Sequence, residues 1–341
     1  FDENPDAVPD EAAYAALAAD LLLMKNNKTA GEAGTRINYT VSGTRSLFTS
    51  SARNADDLQP PFTDALLAVD QKWADPLIWQ AMRAAASPYT TDFYLIALDR
   101  QRTADGGTEV VAENQRIYLW LFGKTFVLSA VITIVCLLLA FPIAHLLATL
   151  PMSKSNLLMI LVLLPFWTSL LVRTTSWIVL LQGQGVVNNV LVSLGLVADD
   201  GRITMIYNQT GTIIVMTHIL LPFMVLPLYS VMRTIKPSYA RAARSLGATS
   251  WTTFRRIYLP QTLPGMGAGA LLVFILAVGY YITPALVGGA DGQLISNMIQ
   301  FHMSKSNWSL AAALSGMLLL GVLLLYWLYD RLVGIDKLKL G

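Results

Sequence analysis

Reactive side chains are few and scattered in this 341-residue chain, and their spacing excludes most chemistry. The single cysteine, Cys136, lies in an apolar stretch, so no internal disulfide can form and a small packing residue is expected. His145, His218 and His302 have no partner at metal-ligand spacing, so no metal site is expected. The sequence has no G-x-x-x-x-G-K-S/T phosphate loop, so ATP hydrolysis would fall to another chain and no catalytic residue is assigned here. What remains is binding. Arg173 is the one charge deep inside an apolar span, about 12 Å along a helix from its outer end. Three roles are open to it: contacting an anionic group on a solute, holding a carbonyl freed by a proline, or snorkelling outward. The apolar spans hold no carboxylate away from their ends, so aromatic faces and backbone carbonyls are the groups left within them to bind a solute. Trp167, Trp177, Tyr280 and Tyr281 are the candidates on a substrate path. Gly279 and Pro284 are expected to bend the helix around the tyrosine pair and turn carbonyls toward a cavity. Interfacial anchoring or packing is the competing reading of these aromatics.

The elements that must position these residues are membrane spans. With 54% hydrophobic and 13% charged residues, the chain is too apolar for an ordinary soluble protein. Five segments reach the length needed to cross a hydrocarbon core: Thr125 to Ala148, Leu157 to Leu181, Thr212 to Met232, Met266 to Val287 and Leu310 to Leu332. Pro142, Pro165, Pro222, Pro227 and Pro284 interrupt them, as neighbouring helices can tolerate. Charge is unevenly distributed. Residues 1 to 113 carry 17 acids against 9 Lys and Arg, and the remainder 5 against 15. The loop from Thr234 to Leu263 holds Lys236, Arg241, Arg244, Arg255 and Arg256 with no acid, and the tail holds Arg331, Lys337 and Lys339. Both are therefore expected in the cytoplasm, with Lys154 on the same side. The loops around Asp199 and Asp291 and the acidic region before Gln115 are then expected outside. That topology calls for a further span upstream of Phe1, a cleaved signal peptide being the rival explanation.

The acidic region, residues 1 to 116, is expected to form a small helical domain. Asp10 to Lys25 places Tyr14, Leu17, Leu21 and Met24 on one helical face, and Phe62 to Ala86 does the same with Leu66, Val69, Trp73 and Leu77. A polar stretch rich in Gly, Ser and Thr separates them, and Gly106-Gly107 marks a loop before the first span. The domain either packs on the span ends or uses its acidic surface to receive a binding protein or attract cationic solutes.

The stretch Ser238 to Gly265 is built to dock against another protein. Pro237 and Ser238 start a small-residue helix, Tyr239 to Leu246, and Gly247 supplies a left-handed cap. Thr249 or Ser250 caps a second helix with Trp251, Phe254, Ile257 and Tyr258 facing the membrane-side scaffold, and Pro260 and Pro264 are expected to stop it. Ala242, Ala243, Gly247, Ala248, Phe254, Ile257, Leu259, Pro260, Pro264 and Gly265 here resemble the cytoplasmic loop of inner-membrane permease subunits of bacterial ABC importers. Arg241 departs from that pattern, standing where the family usually has Glu. Leu164-Pro165-Phe166-Trp167-Thr168-Ser169 with Arg173, the Gly185 to Asn188 stretch, Leu220 to Tyr229, and Gly288-Gly289 look like the spermidine/putrescine branch, over roughly Ile117 to Gly334.

The resemblance implies an all-α membrane protein with the type I ABC importer permease fold and an importing role for a small organic amine such as a polyamine. It implies as partners two ABC ATPase subunits carrying ATP and Mg, a second permease subunit, an extracytoplasmic substrate-binding protein and membrane lipids, with no nucleic acid. Ala240, Arg241, Ala242, Ala243, Arg244, Leu246, Gly247 and Ala248 would dock the ATPase. Asn188 to Leu196 would form an outer gate, followed by a solvated turn at Asp199, Asp200 and Arg202. An opine, aminophosphonate or amino-acid-like solute stays open as cargo. An ion-coupled secondary transporter would need acidic or polar ion sites in the spans, and a membrane-anchored sensor would not need this many spans.

Overall fold

The computed structural model describes residues 9–85, 90–103 and 107–333. It divides into two compact units, Phe1–Leu119 with Phe301–Met317, and Trp120–Gln300 with Leu318–Gly341. Nothing in the local pattern of residues 301–317 signals their place in the first unit.

The first unit opens with α1 (Glu11–Asn27), whose N-cap Asp10 accepts from the Ala13 amide. Tyr14, Leu17 and Leu21 on its inner face are buried. The polar stretch that follows is itself helical, α2 (Ala30–Asn38) and α3 (Thr44–Arg53). Its Gly, Ser and Thr content conceals this, because tertiary contact rather than propensity stabilises the pair. A Cβ on Gly34 would lie 2.8 Å from the Arg45 Cα, so only glycine allows the two backbones so close. The single helix expected over Phe62 to Ala86 is three pieces: α4 (Phe62–Val69), a 3-10 turn (Gln71–Ala74) and α5 (Pro76–Ala85). Asp70 is extended at φ −157° and caps the Lys72 amide, and Pro76 starts α5, so the helical period breaks twice. Leu66 and Trp73 are buried as expected, whereas Leu77 is exposed. Trp73 is the centre of the unit: its carbonyl accepts from Tyr14 Oη and Trp79 Nε1, both at 2.8 Å, and its Nε1 donates to Ser51 Oγ at 2.9 Å. Tyr14, Phe48 and Trp79 form edge-on ring contacts in this core.

After α6 (Asp92–Ala97) a short antiparallel hairpin, β1 (Arg100–Arg102) and β2 (Thr108–Val110), pairs Arg100 with Val110. Gly107 precedes β2, while Gly106 of the expected loop lies outside the described residues. Asp99, buried at the hairpin entry with φ 55°, accepts from the amides of Ile117, Tyr118 and Leu119 at 2.9–3.1 Å. Its carboxylate therefore caps the helix that begins at Tyr118 from 18 or more residues away in sequence.

The second unit contains α7 (Tyr118–Thr149, counted from Trp120), α8 (Met152–Leu163), α9 (Leu170–Leu181), α10 (Val186–Ser193), α11 (Gln209–Thr234), α12 (Pro237–Ser245), α13 (Ser250–Thr253), α14 (Leu259–Gly279) and α15 (Ile282–Val287). The helices α16 (Ile295–Ser304) and α17 (Trp308–Val333) are divided between the units. Among the described residues four helices are long and apolar enough to span: Tyr118–Thr149, Gln209–Thr234, Ser250–Gly279 and Trp308–Arg331. The expected span Leu157 to Leu181 is instead a bent pair, Met152–Trp167 and Leu170–Ser193, meeting at 99°. Pro165 tightens the chain into a 3-10 turn and Thr168 is extended, so α8 and α9 cannot be collinear. Pro142, Pro222 and Pro227 stay inside their helices. The core packs α11 against α14, with Val215, Met216, Met224 and Leu228 meeting Val273 and Ala277. Gly265 and Gly269 bring α14 against the backbone of Pro227 and Met224. Cys136 is buried in the same core.

Candidate functional site

The elbow is built from local signals. Pro237 sits in the first turn of α12, and Gly247 at φ +90° ends it, with the Gly247 amide donating to the Arg244 carbonyl and the Ala248 amide to the Ala243 carbonyl, each at 3.0 Å. Thr249 Oγ1 then caps α13 through the Thr252 amide at 3.2 Å. No residue of α12 is buried. Leu246 is 89% exposed, and Trp251, stacked on Phe254 at 5.7 Å, is 66% exposed, so among the described residues both present large apolar surface to solvent. Trp251 thus departs from the expectation that it faces the scaffold. Arg241 and Arg244 are also exposed, with no acid opposite them among the ion pairs of the described residues.

Pro260 and Pro264 do not stop the second arm. The helix runs from Ser250 to Gly279 without interruption, through a π-turn at Phe254–Tyr258. Pro260 falls in the first turn after that π-turn, where the amide it lacks has no α-helical partner to lose, and Gln261 Nε2 covers the Ile257 carbonyl at 2.6 Å. The elbow is therefore the direct extension of a spanning helix. Its base is fixed to α7, where Phe254 meets Phe141 edge-on and Tyr258 Oη bonds His145 Nδ1 at 2.8 Å. Arg233 adds a bond to the Ala148 carbonyl at 3.1 Å. A push on the exposed arm is passed to α14 and α7 together.

Within the second unit, Trp177 Nε1 donates to His218 Nδ1 at 3.0 Å, with the two rings edge-on at 5.2 Å. One Arg173 Nη2 donates to the Thr168 carbonyl, freed by the break at Pro165, at 3.1 Å, while its Nε is buried without a partner. The helix does break at the tyrosine pair, since α14 ends at Gly279 and α15 is a separate helix. The freed carbonyls, however, are taken within the chain: Ser296 Oγ donates to Tyr280 O at 2.5 Å and Asn297 Nδ2 to Tyr281 O at 2.8 Å. Trp167 is 87% exposed and Tyr281 41%. Sequence reasoning missed His218, whose only signal was its place one residue after Thr217 in an apolar span. The three histidines are partnered with aromatic residues, Tyr258, Trp177 and Tyr118, and no group of three metal-ligating side chains occurs among the described residues.

A second feature of the unit is an open cleft of about 680 Å³ lined by Trp120, Lys124, Asn208, Gln209 and Asp291. Lys124 Nζ lies 4.4 Å from the Trp120 ring centroid. Asp291 is carried by the loop after α15, where Gly289 at φ +55° packs directly against the Tyr207 backbone. The turn nearby is tied rather than merely solvated: Arg202 pairs with Asp199 at 2.8 Å and donates to the Gly183 carbonyl and Asn189 Oδ1. Asn188, buried at the start of α10, bonds both the Gln182 and Ile203 carbonyls.

An all-helical, multi-pass membrane unit with a bent second span and an exposed elbow has the type I ABC importer permease fold. Residues 107–334 match the model of the binding-protein-dependent transport system inner membrane component, and the chain belongs to that family. It is 39% identical over 211 residues to the spermidine/putrescine transport system permease protein PotB of Escherichia coli K12, covering 61% of this chain and 76% of that protein. PotB of Haemophilus influenzae is 36% identical over 216 residues, covering 62% and 74%. The inner membrane ABC transporter permease protein YdcU of Escherichia coli K12 is 32% identical over 226 residues, covering 63% and 72%. Among solved structures, a chain of a bacterial ABC transporter involved in the import of the acidic polysaccharide alginate shares the fold, with a TM-score of 0.55 at 18% identity, covering 84% of this chain and 99% of that one.

Proposed function

We propose that this chain is the transmembrane permease subunit of an ATP-driven, binding-protein-dependent importer of polyamines in a bacterial inner membrane. The observation that carries this reading is the elbow, an exposed helical arm with an uncovered Leu246, continuous with a spanning helix. Ala240, Arg241, Ala242, Ala243, Arg244, Leu246, Gly247 and Ala248 seat it in an ATPase subunit, which holds ATP and Mg. Arg241 and Arg244 meet acids there in place of the missing Glu. Closure of the ATPase pair moves the arm, and the arm tilts α14 and α7.

The cargo follows from the spermidine/putrescine permeases that the chain resembles. An ammonium entering from outside first meets the carboxylate of Asp291, in the cleft where Lys124 covers the Trp120 ring. Trp177 and Tyr280 continue the path, and Trp167 and Tyr281, exposed from this chain, face the second permease subunit across it. Arg173 positions the bend through Thr168 and repels amines that would rest beside it. Residues 1–116 lie on the extracytoplasmic side, where a substrate-binding protein delivers the amine.

The test is purification in mild detergent from the native membrane, with mass-spectrometric identification of the partners, followed by reconstitution and uptake of labelled spermidine and putrescine. Recovery of an ATPase and a second permease with ATP-dependent uptake supports the reading. Uptake that persists without ATP and follows an ion gradient replaces it with a secondary transporter.

A further inference from the structure

The first unit contains a cleft whose charge runs against its surroundings. Residues 1 to 113 carry 17 acids against 9 basic residues. Even so, Lys28, Arg36, Arg45 and Lys305 converge on one concavity of about 530 Å³, with Glu32 the lone acid in its lining. These cations come from separate elements: the left-handed cap of α1, the last turn of α2, the start of α3 and the turn after α16. Lys28, Arg45 and Lys305 form no ion pair among the described residues. An anion seated in this concavity would therefore face cations from several elements at once.

The backbone adds to the same preference. The opening residues of α2 and α17, Gly31 and Trp308 among them, line the cleft, so two helix N-termini contribute partial positive charge. An organic body also has a surface to rest on. Trp308 is 60% exposed, and Tyr39 is held in place by Asn307 Nδ2 on its hydroxyl and by Phe93 edge-on at 6.2 Å. The cleft is open to solvent on one side, and its volume falls in the range of small-molecule sites, about 300–1,000 Å³.

We propose that this cleft binds a small organic polyanion, bearing carboxylate or phosphate groups, whose charges meet Lys28, Arg45 and Lys305 and whose carbon skeleton lies on Trp308 and Tyr39. Most of its lining precedes the residues matched by the family, so this site belongs to the first unit.

The experiment is calorimetric titration of the full chain, held in phosphatidylcholine nanodiscs at low salt, with citrate as the carboxylate probe and pyrophosphate as the phosphate probe. Saturable binding of at least one probe is expected, weakened tenfold or more in Arg45→Glu and in Lys305→Glu. Arg100→Glu, a charge reversal in the same unit outside the lining of the cleft, is expected to leave affinity unchanged. A matching circular-dichroism melt establishes that the variants are folded, and Lys28→Gln provides a milder second reading. Absence of saturable binding to either probe overturns the proposal, as does equal affinity in wild type and both cleft variants. If the variants instead weaken attachment of a substrate-binding protein while neither probe binds, the cleft is a protein-docking surface and the proposal also falls.

Discussion

The elbow and the core around Trp73 use the same residue types in opposite ways. In the first unit Trp73 is fully buried, and its indole and carbonyl are both satisfied by Ser51, Tyr14 and Trp79. In the elbow Leu246 and Trp251 are largely exposed although the backbone beneath them is capped and rigid. A stiff element presenting uncovered apolar groups is complete only with a partner, whereas the Trp73 core is complete by itself. Damage to the elbow should therefore abolish function in a folded protein, and damage to the core should unfold its unit.

The largest effect is expected from Gly247→Asp. The added side chain meets nothing within this chain, yet it is forced to φ +90° and projects a charge into the docking face. Transport should fall to background while membrane insertion is unchanged, as read by uptake and by protease protection. Trp73→Ala reverses that pattern, costing the first unit about 3–5 kcal/mol, measured by chemical denaturation with limited proteolysis. If it abolished ATPase attachment while leaving that unit folded, the contrast between the two regions would fail.

Asp99→Ala tests how far one buried side chain organises the entry to a span. Three backbone amides would lose their acceptor, an expected cost of about 1–3 kcal/mol in thermal unfolding, with Asp99→Asn recovering part of it. The smallest effect is a pH dependence in the same unit. Burial pushes the His302 pKa below its ordinary value, and its Nε2 shares a 2.9 Å hydrogen bond with Tyr118 Oη. The neutral ring is favoured in the fold, so its contribution is fully present above about pH 6.5 and is lost as the pH falls toward the lowered value. His302→Gln should flatten the melting temperature between pH 7 and pH 5, and an unchanged slope would remove His302 as the cause.

What could be read from the sequence follows from distance along the chain. The elbow was legible because Pro237, Gly247 and Thr249 act on neighbours within a few residues. So were the straight spans and the buried face of α1. The bend at Pro165 could be seen as an interruption, but its 99° angle depends on the extended backbone at Thr168 and on the packing of both arms. The continuation through Pro260 was hidden because a π-turn, set by Phe254 and Tyr258 packing on α7, removes the penalty that proline normally carries. The helices α2 and α3 were hidden because Gly34 is a liability for local propensity and a requirement for close packing. The Asp99 cap, the Trp177–His218 bond and the basic cleft join residues 18 to more than 260 positions apart, and no local pattern encodes them.

The most direct test of the docking claim uses the chain's own scarcity of thiols. In a Cys136→Ala background, Leu246→Cys leaves one reactive thiol, at the most exposed point of the elbow. A short thiol-to-amine cross-linker applied to native membranes should join it to a nucleotide-hydrolysing chain, with a yield that changes on adding ATP, whereas Leu77→Cys in the first unit should give no such product. A cross-link from position 246 only to lipid or to other copies of this chain, with ATP making no difference, would contradict the account.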